Sequence, residues 1–205
     1  VAEPPFGSRG GSGYAEVRDM ARARVLVDIS VLATDACLRG IGRYVSELAR
    51  GLAAAERDFG ALELAFLERV GFDGRPSITH DLEPALARLA QGPRLPRLHW
   101  AYPMRLFAGL AARKAGAELI HFPAPGATPL ALLGARSVVT CHDLIPYRYP
   151  EHYARWEDGF GWGRRALDRR RYCSPQQVIA ISRATARDLE QLLGLGPERV
   201  SVVLS

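Results

Sequence analysis

Several features that would mark a membrane-spanning, secreted or metal-binding protein are missing. The chain has no run of about 20 apolar residues, so no membrane-spanning helix is expected, and no basic start leads into an unbroken apolar core as in a secretory signal. Cysteine is scarce: Cys37, Cys141 and Cys173 are odd in number and lack C-x-x-C spacing, which points to a reducing compartment. A metal site built from Cys141, His142, Asp143 and Cys173 has no recognised ligand spacing, and none is expected. Lysine is nearly absent, Lys114 being the only one, so arginine carries the net charge of +5. With no zinc-finger pattern, recognition-helix signature or basic strand interleaved with aromatics, nucleic acid is not an expected partner. No internal repeat is visible.

What is present suits one folded domain. At 205 residues, 48% hydrophobic and 24% charged, the chain can bury a single good core. Residues 1–21 are rich in Pro, Gly and Ser without apolar periodicity and are expected to be a flexible leader, leaving 22–205 as the domain. From residue 24, short β-branched runs alternate with helical patterns. RVLVDIS (24–30), LELAFLE (62–68), ELIHFP (118–123), SVVTCHD (137–143), QVIAIS (177–182) and RVSVVL (199–204) read as about six strands. Ile41, Tyr44, Val45, Leu48, Leu52 and Ala55 recur at helical spacing, giving a helix of roughly four turns. Two helices are expected in 80–116, broken by GPRLPRLHWAYP, with others at about 153–173 and 183–193. Ser182 reads as an N-cap, and GLGP (194–197) as the stop of the last helix. The order describes an α/β fold with an open, mostly parallel, doubly wound sheet and helices on both faces.

Such sheets bind ligands beyond the carboxyl ends of their strands, which selects Ser30 to Gly42, His121 to Pro129, CHDLIPY (141–147) and Ser182. The GIGRYV stretch is not a dinucleotide fingerprint: Gly40 comes about ten residues past the strand, and Val45 stands where a third glycine is required. No Walker sequence occurs. Gly40 and Gly42 could bring a ligand against bare backbone at a helix start, where the dipole favours anions by roughly 0.3 to 2 kcal/mol; equally, they could only supply turn dihedrals. His142 and Asp143 emerge where a strand ends. The imidazole could bond a substrate hydroxyl or move a proton, or bond a backbone carbonyl, while Asp143 caps the next turn. His121, followed by Phe122 and Pro123, reads as packing. The basic run RRALDRRR, Arg164 to Arg171, is either a solvated helix face or a site for phosphates or anionic headgroups.

Taken together and in order, VDISVLATDACLRGIGRYVSELARGL, AELIHFPAP, SVVTCHDLIPYRYPEHY and QVIAISRATARDLEQLLGLGPERVSVVLS resemble the N-terminal domain of family-4 retaining glycosyltransferases of GT-B architecture. The resemblance covers residues 24–205. It implies a Rossmann-like, acceptor-side domain of a hexosyltransferase-type enzyme that moves a sugar from a nucleotide-diphosphate sugar to a glycan or lipid-linked acceptor. No cofactor is implied beyond that co-substrate. It further implies that Gly40, Ile41 and Gly42 approach the donor diphosphate or gate the acceptor, that Arg43 and Tyr44 lie on the acceptor side, and that His142, the catalytic-residue candidate, contacts the transferred sugar. Asp143, Ser182 and Thr185 match the family motifs; Asp143 and Ser182 are expected among the substrate-binding residues, with starting the helix the alternative role of Ser182 and Thr185. The family's second, nucleotide-sugar domain is absent from this sequence, so the expectation is an incomplete enzyme, inactive alone, that needs that domain or a partner subunit; the alternative is a non-catalytic module that binds a glycan or lipid headgroup through the same rim. The expected location is the cytoplasm, with peripheral contact at the inner membrane face through the basic run.

Overall fold

Parallel strands buried on both faces need near-continuous apolar runs, and β1 (Ala23–Asp28) is one: Val25, Leu26 and Val27 are all buried. The computed structural model describes residues 22–129, 133–149, 152, 166 and 169–204; the leader and most of the expected helix 153–173 lie outside the described residues. β1 leads through two short 3-10 turns, Ser30–Ala33 and Asp35–Leu38, into α1 (Gly40–Phe59). There follow β2 (Leu62–Val70), β3 (Pro76–Thr79), α2 (Leu82–Gln91), α3 (Arg97–Lys114), β4 (Leu119–Phe122), β5 (Arg136–Cys141), α4 (Ile145–Arg148), β6 (Gln177–Ala180), α5 (Arg183–Leu193) and β7 (Val200–Val202). Residues 169–173 are helical.

The sheet order is β3-β2-β1-β4-β5-β6-β7, parallel throughout except for β3. This is the expected Rossmann-like α/β architecture. The chain leaves β1 toward β2 on one side and later returns to place β4 on the other, so the winding reverses between β1 and β4. Register assigns the faces. Val27 lies beside His121, whose side chain reaches α1 through Thr140. Arg24 and Asp28 point to the opposite face, Arg24 against Gly116 beyond α3 and Asp28 toward Trp100 of α3.

Two elements differ from the sequence expectation. A seventh strand, β3, folds back on β2 as an antiparallel hairpin. Its signal is Asp73-Gly74: Gly74 takes φ 72°, which only glycine adopts at low cost, and the Asp73 carboxylate accepts from the Arg75 amide at 3.0 Å. The break expected through residue 103 ends earlier, because α3 starts at Arg97 with Pro96 as its N-cap and Pro103 inside it. An internal proline costs about 3 kcal/mol. Burying Trp100 and Met104 against the core returns roughly 1.5 to 3 kcal/mol each, so packing outweighs propensity.

The last helix matches its signals. Ser182 Oγ accepts from the Thr185 amide at 3.0 Å, and Gly194, at φ 69°, ends α5. Ser182→Ala should therefore lower unfolding stability by about 1 kcal/mol, read as a shift in denaturant midpoint at unchanged slope; no shift would remove the cap from the account of α5.

Candidate functional site

Because the strands are parallel, the residues after β1, β4, β5 and β6 share one edge of the sheet. On the α1 face of that edge the Thr140 hydroxyl is a hub. It lies 3.0 Å from His121 Nε2 and 3.3 Å from the Tyr44 hydroxyl, linking β4, β5 and α1. A hydroxyl can accept from one neighbour while donating to the other, so one atom serves both. His121 is buried, and burial pushes its pKa down to about 4, which keeps the ring neutral at ordinary pH. Burial raises the Tyr44 pKa, opposed by the Thr140 bond, so the phenol stays protonated.

His142 stands one residue beyond β5 and is held from three sides. Its Nε2 donates to the Pro123 carbonyl at 2.8 Å. Its ring meets Tyr44 edge-on, with centroids 4.9 Å apart. Its own carbonyl accepts from the Thr185 hydroxyl at 3.4 Å, and that hydroxyl also pairs with Ser182 Oγ at 2.9 Å. With Nε2 donating, a neutral ring presents Nδ1 as an acceptor, and Nδ1 makes no hydrogen bond among the described residues. The pattern suits a ligand that donates, such as a hydroxyl. Asp143 is exposed and accepts from the Ile145 amide at 3.1 Å, opening α4, while Arg148 of α4 pairs with Asp188 of α5.

The two glycines at the start of α1 do different things. A β-carbon on Gly42 would lie 2.4 Å from Cys37 Cα and 2.5 Å from its carbonyl oxygen, so Gly42 lets the helix press against the preceding turn. A β-carbon on Gly40 would meet nothing within 4 Å. Arg39, the N-cap residue, supplies no side-chain bond, and the amides of Gly40 and Ile41 have no acceptor among the described residues. Arg39 and Arg43 are exposed there with no ion-pair partner among the described residues. An uncapped helix start with open backbone and two guanidinium groups favours an anion. The site residues thus fall into two groups: Tyr44, His142, Ser182 and Thr185 form one connected cluster, and Gly40, Ile41 and Arg43 form the helix start that carries Tyr44.

On the α3 face of the edge lies a polar chain that the sequence reading missed. Trp100 Nε1 donates to Ser30 Oγ at 2.7 Å, and Ser30 Oγ and amide both donate to Asp28 Oδ1, at 2.5 and 2.9 Å. The Trp100 ring fills the space beside Gly126, where a β-carbon would come within 2.9 Å of it. One indole therefore fixes the loops after β1 and β4. Asp28 is fully buried, and its Oδ2 alone among buried side-chain nitrogens and oxygens of the described residues has no partner. Burial raises its pKa to about 6 from 3.8, against the opposing Ser30 bonds. The available signal was a lone carboxylate closing an apolar strand.

Two outcomes follow. The folded pKa of Asp28 is raised, so its favourable contribution is full below the unfolded value of 3.8 and is lost as pH rises through about 6. The difference amounts to about 3 kcal/mol. Asp28→Asn should gain stability relative to the parent by that amount between about pH 4 and about pH 8 in denaturant melts; parallel curves would show an ordinary carboxyl. For the glycines, Gly42→Ala should cost about 1 to 3 kcal/mol through overpacking, while Gly40→Ala leaves the midpoint unchanged; equal losses would make Gly40 structural too.

Residues 38–204 match the model of Glycosyltransferase Family 4. Among solved structures the chain is similar to a glycosyltransferase from Rickettsia africae ESF-5, at 11% identity and a TM-score of 0.35, over 90% of this chain and 43% of that one. The chain thus spans less than half of that protein's length. No curated protein matches it. The family match covers most of the sequence, and the chain belongs to glycosyltransferase family 4.

Proposed function

We propose that this domain is the acceptor-side lobe of a retaining, hexosyltransferase-type glycosyltransferase, which moves a sugar from a nucleotide-diphosphate donor to a glycan or lipid-linked acceptor. The observation that carries the reading is the pairing of an open, uncapped α1 start with His142 through the Tyr44 ring, 4.9 Å away. In this reading the Gly40 and Ile41 amides, with Arg39 and Arg43, favour the diphosphate. His142 Nδ1 accepts from a hydroxyl of the transferred sugar, and Tyr44 borders the acceptor. Asp143 and Ser182 act by shaping their turns.

A second lobe, in the same chain or a partner subunit, completes the cleft. Charge on a departing diphosphate needs prearranged donors, each worth about 2.7 to 4 kcal/mol. The 205-residue polypeptide alone should therefore turn over a panel of nucleotide sugars at least about 100-fold more slowly than when joined to a family donor-binding domain. In the joined enzyme, His142→Ala should lower kcat/KM by about 3- to 10-fold, the worth of one neutral hydrogen bond. Full turnover by the isolated polypeptide would overturn the lobe assignment. Unchanged kinetics in the His142 variant would remove the imidazole from the site, and glycan binding without turnover in the joined protein would favour a non-catalytic binding module.

A further inference from the structure

Thr140 is fully buried, and its hydroxyl has two partners among the described residues: His121 Nε2 at 3.0 Å and the Tyr44 hydroxyl oxygen at 3.3 Å. A hydroxyl carries one proton, so it donates to one of these groups and accepts from the other. The chain of three therefore has two possible directions. In one, His121 donates to Thr140 and Thr140 donates to Tyr44; in the other, both bonds are reversed.

His121 selects between them. Burial keeps its ring neutral, so one nitrogen bears the proton and the other a lone pair. The residue is 6% exposed, and its Nδ1 has no partner among the described residues. A proton on Nδ1 would find no acceptor there, and orphaned N–H groups are rarer in folded proteins than under-satisfied acceptors. On Nε2 the same proton meets the Thr140 oxygen. Thr140 then donates to the Tyr44 oxygen, and the phenolic proton of Tyr44 is left over. Tyr44 is half-buried and makes no other hydrogen bond among the described residues. The spare donor thus belongs to the more open end of the chain, on a ring edge-on to His142, whose Nδ1 is a spare acceptor.

We infer that His121 and Thr140 are positioning residues that leave the Tyr44 hydroxyl proton for a ligand, so that the site pairs a donor, Tyr44, with an acceptor, His142 Nδ1. A group that both accepts and donates suits that pair. A sugar hydroxyl does both, whereas an ionised phosphate oxygen accepts without donating and an ammonium donates without accepting. The ligand class rests on the glycosyltransferase reading of this edge; the direction of the chain does not, and it is measured without turnover.

The first measurement uses the isotope-labelled 205-residue chain at neutral pH. Long-range proton-nitrogen correlation spectra distinguish the two imidazole tautomers, the signal lost in His121→Gln being that of His121. Protonation on Nε2 is expected; protonation on Nδ1 overturns the proposal. The second measurement uses the chain joined to a family donor-binding domain. Tyr44→Phe and Thr140→Val should each lower kcat/KM by about 3- to 10-fold, the worth of one neutral hydrogen bond. The double variant should lose no more than either single one, because Thr140 acts through the Tyr44 hydroxyl. Thr140→Ser, which restores a hydroxyl, should recover the parent value. Additive losses, or no recovery in Thr140→Ser, would make Thr140 a packing residue and overturn its positioning role. A joined protein that turns over no nucleotide sugar ends the glycosyltransferase reading, while the His121 tautomer still decides the direction of the chain.

Discussion

Parallel pairing sends β1, β4, β5 and β6 to the same edge of the sheet, and every loop released there must satisfy its polar groups or leave them for a ligand. The Thr140 hydroxyl decides much of that arrangement on one face. It holds Tyr44 from a helix that begins about a hundred residues earlier and His121 from the neighbouring strand. With Tyr44 fixed, the His142 ring has an edge-on partner, and with Pro123 accepting its Nε2 it has a defined tautomer. A hydrogen bond of this kind contributes only about 1 kcal/mol. Its larger effect is positional, since losing it would leave buried polar groups on two elements without their partner.

The start of α1 shows how a helix can be both packed and open. Gly42 has no room for a side chain because the Cys37 backbone occupies that space, so the turn before α1 is drawn tightly under the helix. Gly40, two residues earlier, has no atom within 4 Å of where a β-carbon would stand and no acceptor for its amide among the described residues. The close packing behind Gly42 fixes the start of the helix, where the amides of Gly40 and Ile41 have no acceptor among the described residues. A capping side chain at residue 39 would satisfy those donors internally; arginine, which cannot accept a hydrogen bond, leaves them available.

How much of this is legible in the sequence depends on the range of the interaction. Strand runs such as Val25 to Val27 and the helical spacing of Ile41, Val45 and Leu52 are local and read directly, as do the Ser182 cap and the Gly194 stop. The Asp73-Gly74 hairpin carried a local signal that a count of apolar runs passed over, because β3 is short and only partly buried. Gly40 and Gly42 look alike in sequence; only the position of the Cys37 backbone separates them. Asp28 and Thr140 each stand out as a polar residue closing an apolar strand, yet their partners, Trp100 through Ser30 and Tyr44, lie far along the chain, and no spacing rule connects them. Trp100 was hidden further by its setting between Pro96 and Pro103, which reads as a break.

That setting links the two faces of α3. A helix apolar on both sides normally lies in the interior, but here the inner side alone is covered by the sheet and by the loop at Gly126. Trp100 bonds Ser30 at 2.7 Å and leaves no space beside Gly126, so the first turns of α3 cannot shift without disturbing the loops after β1 and β4. Pro103 adds to this restraint, since its ring holds one backbone dihedral and its position is buried. The exposed Leu98 and Tyr102 each stand two residues from Trp100 on the same turns of the helix. Through Ser30 the Trp100 indole is linked to Asp28, the one buried carboxyl whose second oxygen lacks a partner among the described residues. A single indole thus ties the placement of α3 to the buried polar chain after β1.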